Sequence, residues 1–271
     1  MFQHSVFSLP FIFIAMIVSA DGWFGWRLLL LGVIAAVSAR NFAMLVNRYL
    51  DRDIDALNPR TKSRPSVDGR FSPTQMRILI LINALIFVVT AYAINSLAFA
   101  LSFPILIILG GYSYFKRFSE MAHLVLGLSL GLAPIAGVVA VEGAIPIWSI
   151  LLAAGVTFWV AGFDLLYSLQ DMEFDKDKGL FSIPSKYGSE ATLFLARIFH
   201  GIAVLFWALF TAEAKLGFFA WLAVIAAAAM LSYEHRLVNR DFTKIDRAFF
   251  TVNGYLGFVF LFLITLDRIA S

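Results

Sequence analysis

Two sets of oxygen-bearing side chains in this sequence repeat at helical intervals. Asn47, Asp51 and Asp55 are spaced i, i+4, i+8, so on a continuing helix they share one face. Asp164, Tyr167, Asp171 and Asp175 recur at intervals of three and four and share a face in the same way, while Asp53 points elsewhere. Carboxylates four apart repel by roughly 0.2–0.5 kcal/mol on a bare helix, and acidic groups at a helix C-terminus oppose the macrodipole. A hard cation between them removes both penalties. Oxygen donors without His or Cys suit magnesium, whose usual coordination is one or two carboxylates completed by phosphate oxygens. Asn47, Asp51, Asp55, Asp171 and Asp175 are therefore the candidate metal ligands. A solvated helix end with Asp and Arg paired to each other explains one such set, but two sets on different helices point to a shared site for a metal–diphosphate.

Basic residues complete the pattern. Arg40 lies seven residues before Asn47 and inside an apolar stretch, and an intramembrane Arg marks a functional site with an anionic partner. Arg64, Lys116, Arg117 and Lys178 are candidates for contacting diphosphate oxygens or relieving leaving-group charge; the competing role is topology determination against anionic lipid. Asp164, deeper in its apolar segment than Asp171, and Tyr167 are assigned to the reacting centre with Arg40, Arg64, Lys116 and Lys178. Other chemistries lack their residues. The chain has no cysteine, and no H-E-x-x-H pattern, Gly-rich phosphate loop or serine elbow occurs. His4, His123, His200 and His235 are scattered, and only His123 lies beside one of the basic segments.

The elements that must carry these residues are membrane helices. Of 271 residues, 61% are hydrophobic and 14% charged, against roughly 25% charged in a soluble domain; a soluble enzyme, a disordered chain and a nucleic-acid-binding domain are excluded. Runs of about 20 apolar residues suffice to cross a bilayer. They occur at 5–20, 26–47, 75–93, 97–114, 121–141, 146–169, 190–210, 215–233 and 248–266. The first is short, and without a basic leader or cleavage site it is expected to be a retained helix. Fifteen Lys and Arg residues fall in the connections after spans two, four, six and eight, including Arg236, Arg240, Lys244 and Arg247, against Arg27, Lys215 and Arg268 on the other side. The asymmetry puts the N-terminus and both acidic motifs in the cytoplasm and the C-terminus opposite. A small-residue stripe, Gly127, Ser129, Gly131 and Gly137, predicts close helix packing. No linker divides the chain, so residues 1–271 form one domain, all-α and polytopic.

Asn47-x-x-x-Asp51-x-x-x-Asp55 with Ser63-Arg64-Pro65 resembles the first signature of the UbiA superfamily of intramembrane aromatic prenyltransferases. Asp164-x-x-Tyr167-x-x-x-Asp171-x-x-x-Asp175 with Gly179 resembles the second, and Tyr112-x-Tyr114-x-Lys116-Arg117 the family's central cytoplasmic segment. The resemblance implies nine helices around a central cavity, Mg2+ and the diphosphate of a polyprenyl donor on the acidic motifs, and a small aromatic acceptor prenylated on ring carbon. Asn47, Arg64, Lys116 and Arg117 would bind the diphosphate–metal group. The 4-hydroxybenzoate polyprenyltransferases of ubiquinone synthesis are one such group. The runs His4–Pro10 and Leu169–Asp175 with Ser182-Ile183-Pro184 look more like the MqnP branch of menaquinone synthesis, whose acceptor is 1,4-dihydroxy-6-naphthoate. Phe181 stands where many 4-hydroxybenzoate enzymes carry Lys. The expected partners are donor, acceptor and membrane lipid of a bacterial inner membrane, with no nucleic acid and no obligate protein partner. The rival from another class is a secondary transporter, which places its charges at the midplane rather than at one face.

Overall fold

The computed structural model describes residues 7–240, 245 and 251–270. His4, Lys244, Arg247 and the side chain of Arg240 lie outside them. Every regular element among the described residues is helical: α1 (Leu9–Ser19), α2 (Trp26–Leu50), α3 (Arg52–Leu57), α4 (Pro73–Ile94), α5 (Ser96–Gly111), α6 (Ala122–Glu142), α7 (Ile147–Ser168), α8 (Met172–Lys178), α9 (Ile183–Glu213), α10 (Phe218–Arg240) and α11 (Asn253–Ala270). Tight 3-10 turns at Tyr112–Arg117 and Leu169–Asp171 follow α5 and α7. Eight of these segments are long and apolar enough to span a bilayer, and α1 is the short ninth apolar helix.

Asn95 is what separates the third and fourth spans, which the hydropathy alone nearly fuses. Its backbone is extended (φ −165°, ψ 172°) and its side chain accepts from Ala98 N, starting α5 with a cap. Its amide also donates to Val139 O at 2.7 Å, fixing this turn against α6. The seventh span begins earlier than its apolar run suggests. Ser182 and Ser185 form a reciprocal cap with Pro184 in the first turn, and the helix then bends at Gly188, whose φ of 81° suits glycine.

In lipid, helix association rests on van der Waals contact rather than on removing apolar surface from water. Small residues on α6 and α7 supply that contact. A Cβ on Gly127 or Gly131 would collide with Thr157 of α7, and one on Gly137 with the Ile12 carbonyl of α1. The small-residue stripe is thus a packing seam. The first apolar run packs inside rather than facing lipid: Phe11, Ile14, Ala15 and Met16 are fully buried. The Phe11 ring lies 5.2 Å from Trp159, 5.7 Å from Trp207 and 5.8 Å from Phe260. Eleven residues of α1 rise only ~16 Å, and this interior position is where a short helix escapes the need to match the bilayer.

Candidate active site

Both acidic motifs sit where a long helix breaks into a short one. α2 closes at Asp51 (φ −90°, ψ 5°), which also begins α3. Asp171 (φ −102°, ψ 3°) links the 3-10 turn after α7 to α8. Neither motif lies on one uninterrupted helix, as the spacing predicts. The face is nevertheless kept, because Asp55 N still donates to Asp51 O at 2.7 Å across the first break. α3 and α8 are amphiphilic stubs that cannot extend into lipid, so they turn over the end of the bundle and carry Asp55 and Asp175 with them.

The first motif is buried. Asp51 and Asp55 are 2% and 4% exposed. Lys116 Nζ approaches Asp51 Oδ2 at 2.6 Å, and Asn47 Nδ2 donates to the same oxygen at 2.9 Å and to Ser113 Oγ at 3.0 Å. Arg64 Nη1 bridges both oxygens of Asp55 at 2.7 and 2.8 Å, with Arg48 Nη1 3.7 Å from Asp55 Oδ2. Burial holds the Asp51 carboxyl above its ordinary pKa, against the pull of the Lys116 ammonium.

The second motif is joined to the loop that follows the first. Asn58 Nδ2 donates to Asp171 Oδ1 at 3.1 Å, Arg60 Nε donates to the same oxygen at 3.0 Å, and Arg60 Nη2 pairs with Oδ2. Arg60 Nη1 also donates to the Tyr167 hydroxyl at 3.1 Å. Asp175 and Ser182 share the wall of one cavity. Asp164 is held by His123, whose Nδ1 lies 2.7 Å from Asp164 Oδ2. The backbone N–H of Phe181 donates to Lys116 O at 2.9 Å, tying the loop after α8 to the turn after α5.

These residues line an open cavity of about 300 Å³ walled by Arg40, Asn47, Asp51, Asp55, Arg64, Lys116, Asp164, Tyr167, Asp171 and Asp175. A second, apolar chamber of about 140 Å³ lies between α1, α2, α4, α5 and α6. Arg40, Tyr112, Leu126 and Leu130 line both. The deep Arg40 thus stands where the polar and apolar spaces meet, and its Nε is buried without a hydrogen-bond partner.

Two residues expected in the site are elsewhere. Arg117 is adjacent to Lys116 in a tight turn, so its side chain leaves on a different side; it binds Asp53 at 2.7 and 3.0 Å and the Leu50 carbonyl at 2.7 Å. Lys178 ends α8 just before Gly179 (φ 65°) reverses the chain, and it is exposed outside the cavity lining. Four polar residues were not legible as site members: Asn58, Arg60, Ser113 and His123. Asn58 and Arg60 lie in irregular chain, where no periodicity points inward. His123 carries a signal, its position one turn into α6 beside the basic segment.

The carboxylates fit a metal in a particular way. Among the described residues no three acidic or His side chains converge as a ready-made cage. Asp51, Asp55 and Asp171 are instead each paired with a cation, and Asp51 Oδ1 is buried without a hydrogen-bond partner. An all-oxygen set that still needs outside oxygens matches a hard cation arriving with a polyanion.

A multi-helix membrane bundle whose charged cavity opens into an apolar chamber defines an enzyme for a ligand with an anionic head and a hydrocarbon tail. The sequence pattern of the UbiA prenyltransferase family matches residues 8–264, and the chain belongs to that family; it is a prenyltransferase. A 4-hydroxybenzoate octaprenyltransferase of Herminiimonas arsenicoxydans is 27% identical over 255 residues, 93% of this chain and 89% of the relative. That of Psychromonas ingrahamii is 31% identical over 237 residues, 84% and 81% of the two chains. Among solved structures, a UbiA homolog from Aeropyrum pernix superimposes with a TM-score of 0.84 at 29% identity, covering 100% of this chain and 98% of that one. A UbiA homolog from Archaeoglobus fulgidus, bound to DMAPP and Mg2+, shares the fold at TM-score 0.78 and 22% identity over 99% and 98% of the two chains.

Proposed function

We propose that this enzyme transfers a polyprenyl group from its diphosphate to a ring carbon of an aromatic carboxylate in respiratory quinone synthesis, with Mg2+ as cofactor. The observation that carries this is the junction at Arg40 and Tyr112 between the acidic cavity and the apolar chamber. A diphosphate head, a reacting C1 and a hydrocarbon tail each find matching walls there. The relatives' names support 4-hydroxybenzoate as the acceptor. That reading takes precedence over 1,4-dihydroxy-6-naphthoate, for which the motif resemblance around Leu169–Asp175 is the support.

Asp51, Asp55, Asp171 and Asp175, with Asn47 as a neutral donor, would hold the metal. Bound there, it neutralises the diphosphate and makes it a better leaving group. The protein's cations do the rest of the head-group work. Lys116, Arg64 and Arg60, each on a carboxylate now, would supply the donors for phosphate oxygens where those carboxylates hold the metal, so that no buried charge would be left unpaired. Arg40 pairs with the carboxylate of the acceptor, orienting its ring toward C1. The acceptor's π electrons form the new C–C bond as the C1–O bond breaks, and the apolar walls keep water from the cationic carbon. The basic residues around the acidic motifs support a bacterial inner-membrane protein with this site facing the cytoplasm.

The test incubates purified protein, octaprenyl diphosphate and Mg2+ with 4-hydroxybenzoate or with 1,4-dihydroxy-6-naphthoate, and identifies products by mass spectrometry. Prenylated 4-hydroxybenzoate is expected. A naphthoate product alone transfers the acceptor assignment, and substrate flux into liposomes without covalent product restores the transporter.

A further inference from the structure

We infer that His123 is the base that removes the ring proton after C–C bond formation, with Asp164 as its positioning residue; this rests on the aromatic-prenylation reading above. His123 lies one turn into α6, 6% exposed, and lines the acidic cavity. Its Nδ1 is 2.7 Å from Asp164 Oδ2 on α7. Asp164 accepting from Nδ1–H fixes the tautomer in which Nε2 carries the lone pair. That second nitrogen, Nε2, is buried and has no hydrogen-bond partner.

His123 is one of the residues lining the cavity, within the same enclosure as Arg40 and Tyr112. A buried polar nitrogen left without a partner costs about 1–3 kcal/mol. A hydrogen-bearing ligand seated in the cavity removes that cost, and the reaction generates one. His200 and His235, by contrast, are hydrogen-bonded to each other at 2.9 Å, away from the cavity.

The step balances. The ring's π pair forms the bond to C1 of the prenyl group, and the C1–O pair departs with the diphosphate. The resulting arenium cation carries an sp3 C–H. His123 Nε2 takes that proton, the C–H pair restores aromaticity, and Asp164 stabilises the imidazolium. The proton then passes to the departing diphosphate, so acceptor and donor give prenylated acceptor and protonated diphosphate with nothing left over.

The experiment compares 4-hydroxybenzoate with the same acid deuterated at both ring carbons ortho to the hydroxyl, using octaprenyl diphosphate and Mg2+. Wild type is expected to show no isotope effect on kcat, since C–O cleavage precedes proton loss. His123→Gln keeps a hydrogen-bonding side chain for Asp164; its kcat should fall ~10²-fold or more, as for loss of a positioned base. KM for the donor should hold and a primary isotope effect should appear. Asp164→Asn should show the same isotope effect with a smaller loss. In His123→Gly, added imidazole should restore turnover, which separates lost chemistry from lost folding. His123→Gln with wild-type kcat, a kcat loss with no isotope effect, or a glycine variant that imidazole does not rescue each overturns the assignment. Wild type that prenylates neither 4-hydroxybenzoate nor the naphthoate overturns the underlying reading instead.

Discussion

The two acidic motifs invert the burial of the helices that bear them. α7 is the more interior helix, with 61% of its most apolar window buried against 17% for α2. Yet Asp51 and Asp55, where α2 gives way to α3, are sealed, while the Asp171 side chain after α7 is 20% exposed. Helix burial does not decide this; the chain between α3 and α4 does. It folds back over the end of α2, placing Arg64 on Asp55, and reaches across to place Asn58 and Arg60 on Asp171. The first motif is a desolvated seat closed by its own loop. The second is the open half, held to the first by that loop and by the Phe181 N–H on the Lys116 carbonyl.

Removing the metal tests both halves together and carries the largest expected effect. Chelation should abolish turnover and Mg2+ should restore it; full activity in chelator would remove the metal role from both motifs. Substituting single carboxylates comes next. Asp51→Asn and Asp171→Asn should each cut kcat at least ~10²-fold, because either half loses several kcal/mol of charge stabilisation at the leaving group. If one variant keeps near-normal turnover in saturating Mg2+, the halves are not equivalent and the site is a one-motif site.

The cations then separate the halves. Arg64→Ala leaves a sealed Asp55 carboxylate underpaired and should lower unfolding stability by about 1–3 kcal/mol. Arg60→Ala removes a half-exposed pair, for which the stability change should stay within about 1 kcal/mol. Both should raise donor KM roughly tenfold or more, as expected for losing a charge-assisted hydrogen bond. Equal stability losses in thermal unfolding would erase the contrast between seat and open half.

The smallest effect concerns protons. Burial raises the Asp51 pKa, so the folded, metal-free protein holds this proton more firmly than the unfolded chain. Its contribution to stability is complete below the unfolded-state value and is lost as pH rises through the folded one. Metal-free wild type should therefore gain stability on acidification through that window relative to Asp51→Asn, and Mg2+ with inorganic diphosphate should flatten the difference. An Asp51→Asn protein whose pH profile parallels wild type would place Asp51 in an ordinary, solvated setting.

Much of the site was readable in the sequence because helices are periodic. Asn47, Asp51 and Asp55 had to share a face, and so did Asp164, Tyr167, Asp171 and Asp175. The lines of Lys and Arg had to gather at one end. Where periodicity stopped, assignment by proximity in sequence failed. Arg117 and Lys178 adjoin motif residues but turn away from them, while Arg60 and Ser113 sit in a loop and a tight turn with no phase to follow. His123 was visible as an isolated ring, and its partner 41 residues away was not.

By itself the sequence determined an all-helical membrane chain, the order and approximate ends of its spans, and two oxygen-rich stripes at the same end of the bundle. Those follow from local rules: the apolar length that a bilayer requires and the 3.6-residue repeat of a helix. Only the tertiary structure decided which cation meets which carboxylate, that α1 packs inside, and that the polar cavity opens into an apolar chamber at Arg40. Such pairings join residues far apart in the chain through loops whose backbone has no repeating geometry, and only the packed helices bring them within hydrogen-bonding distance.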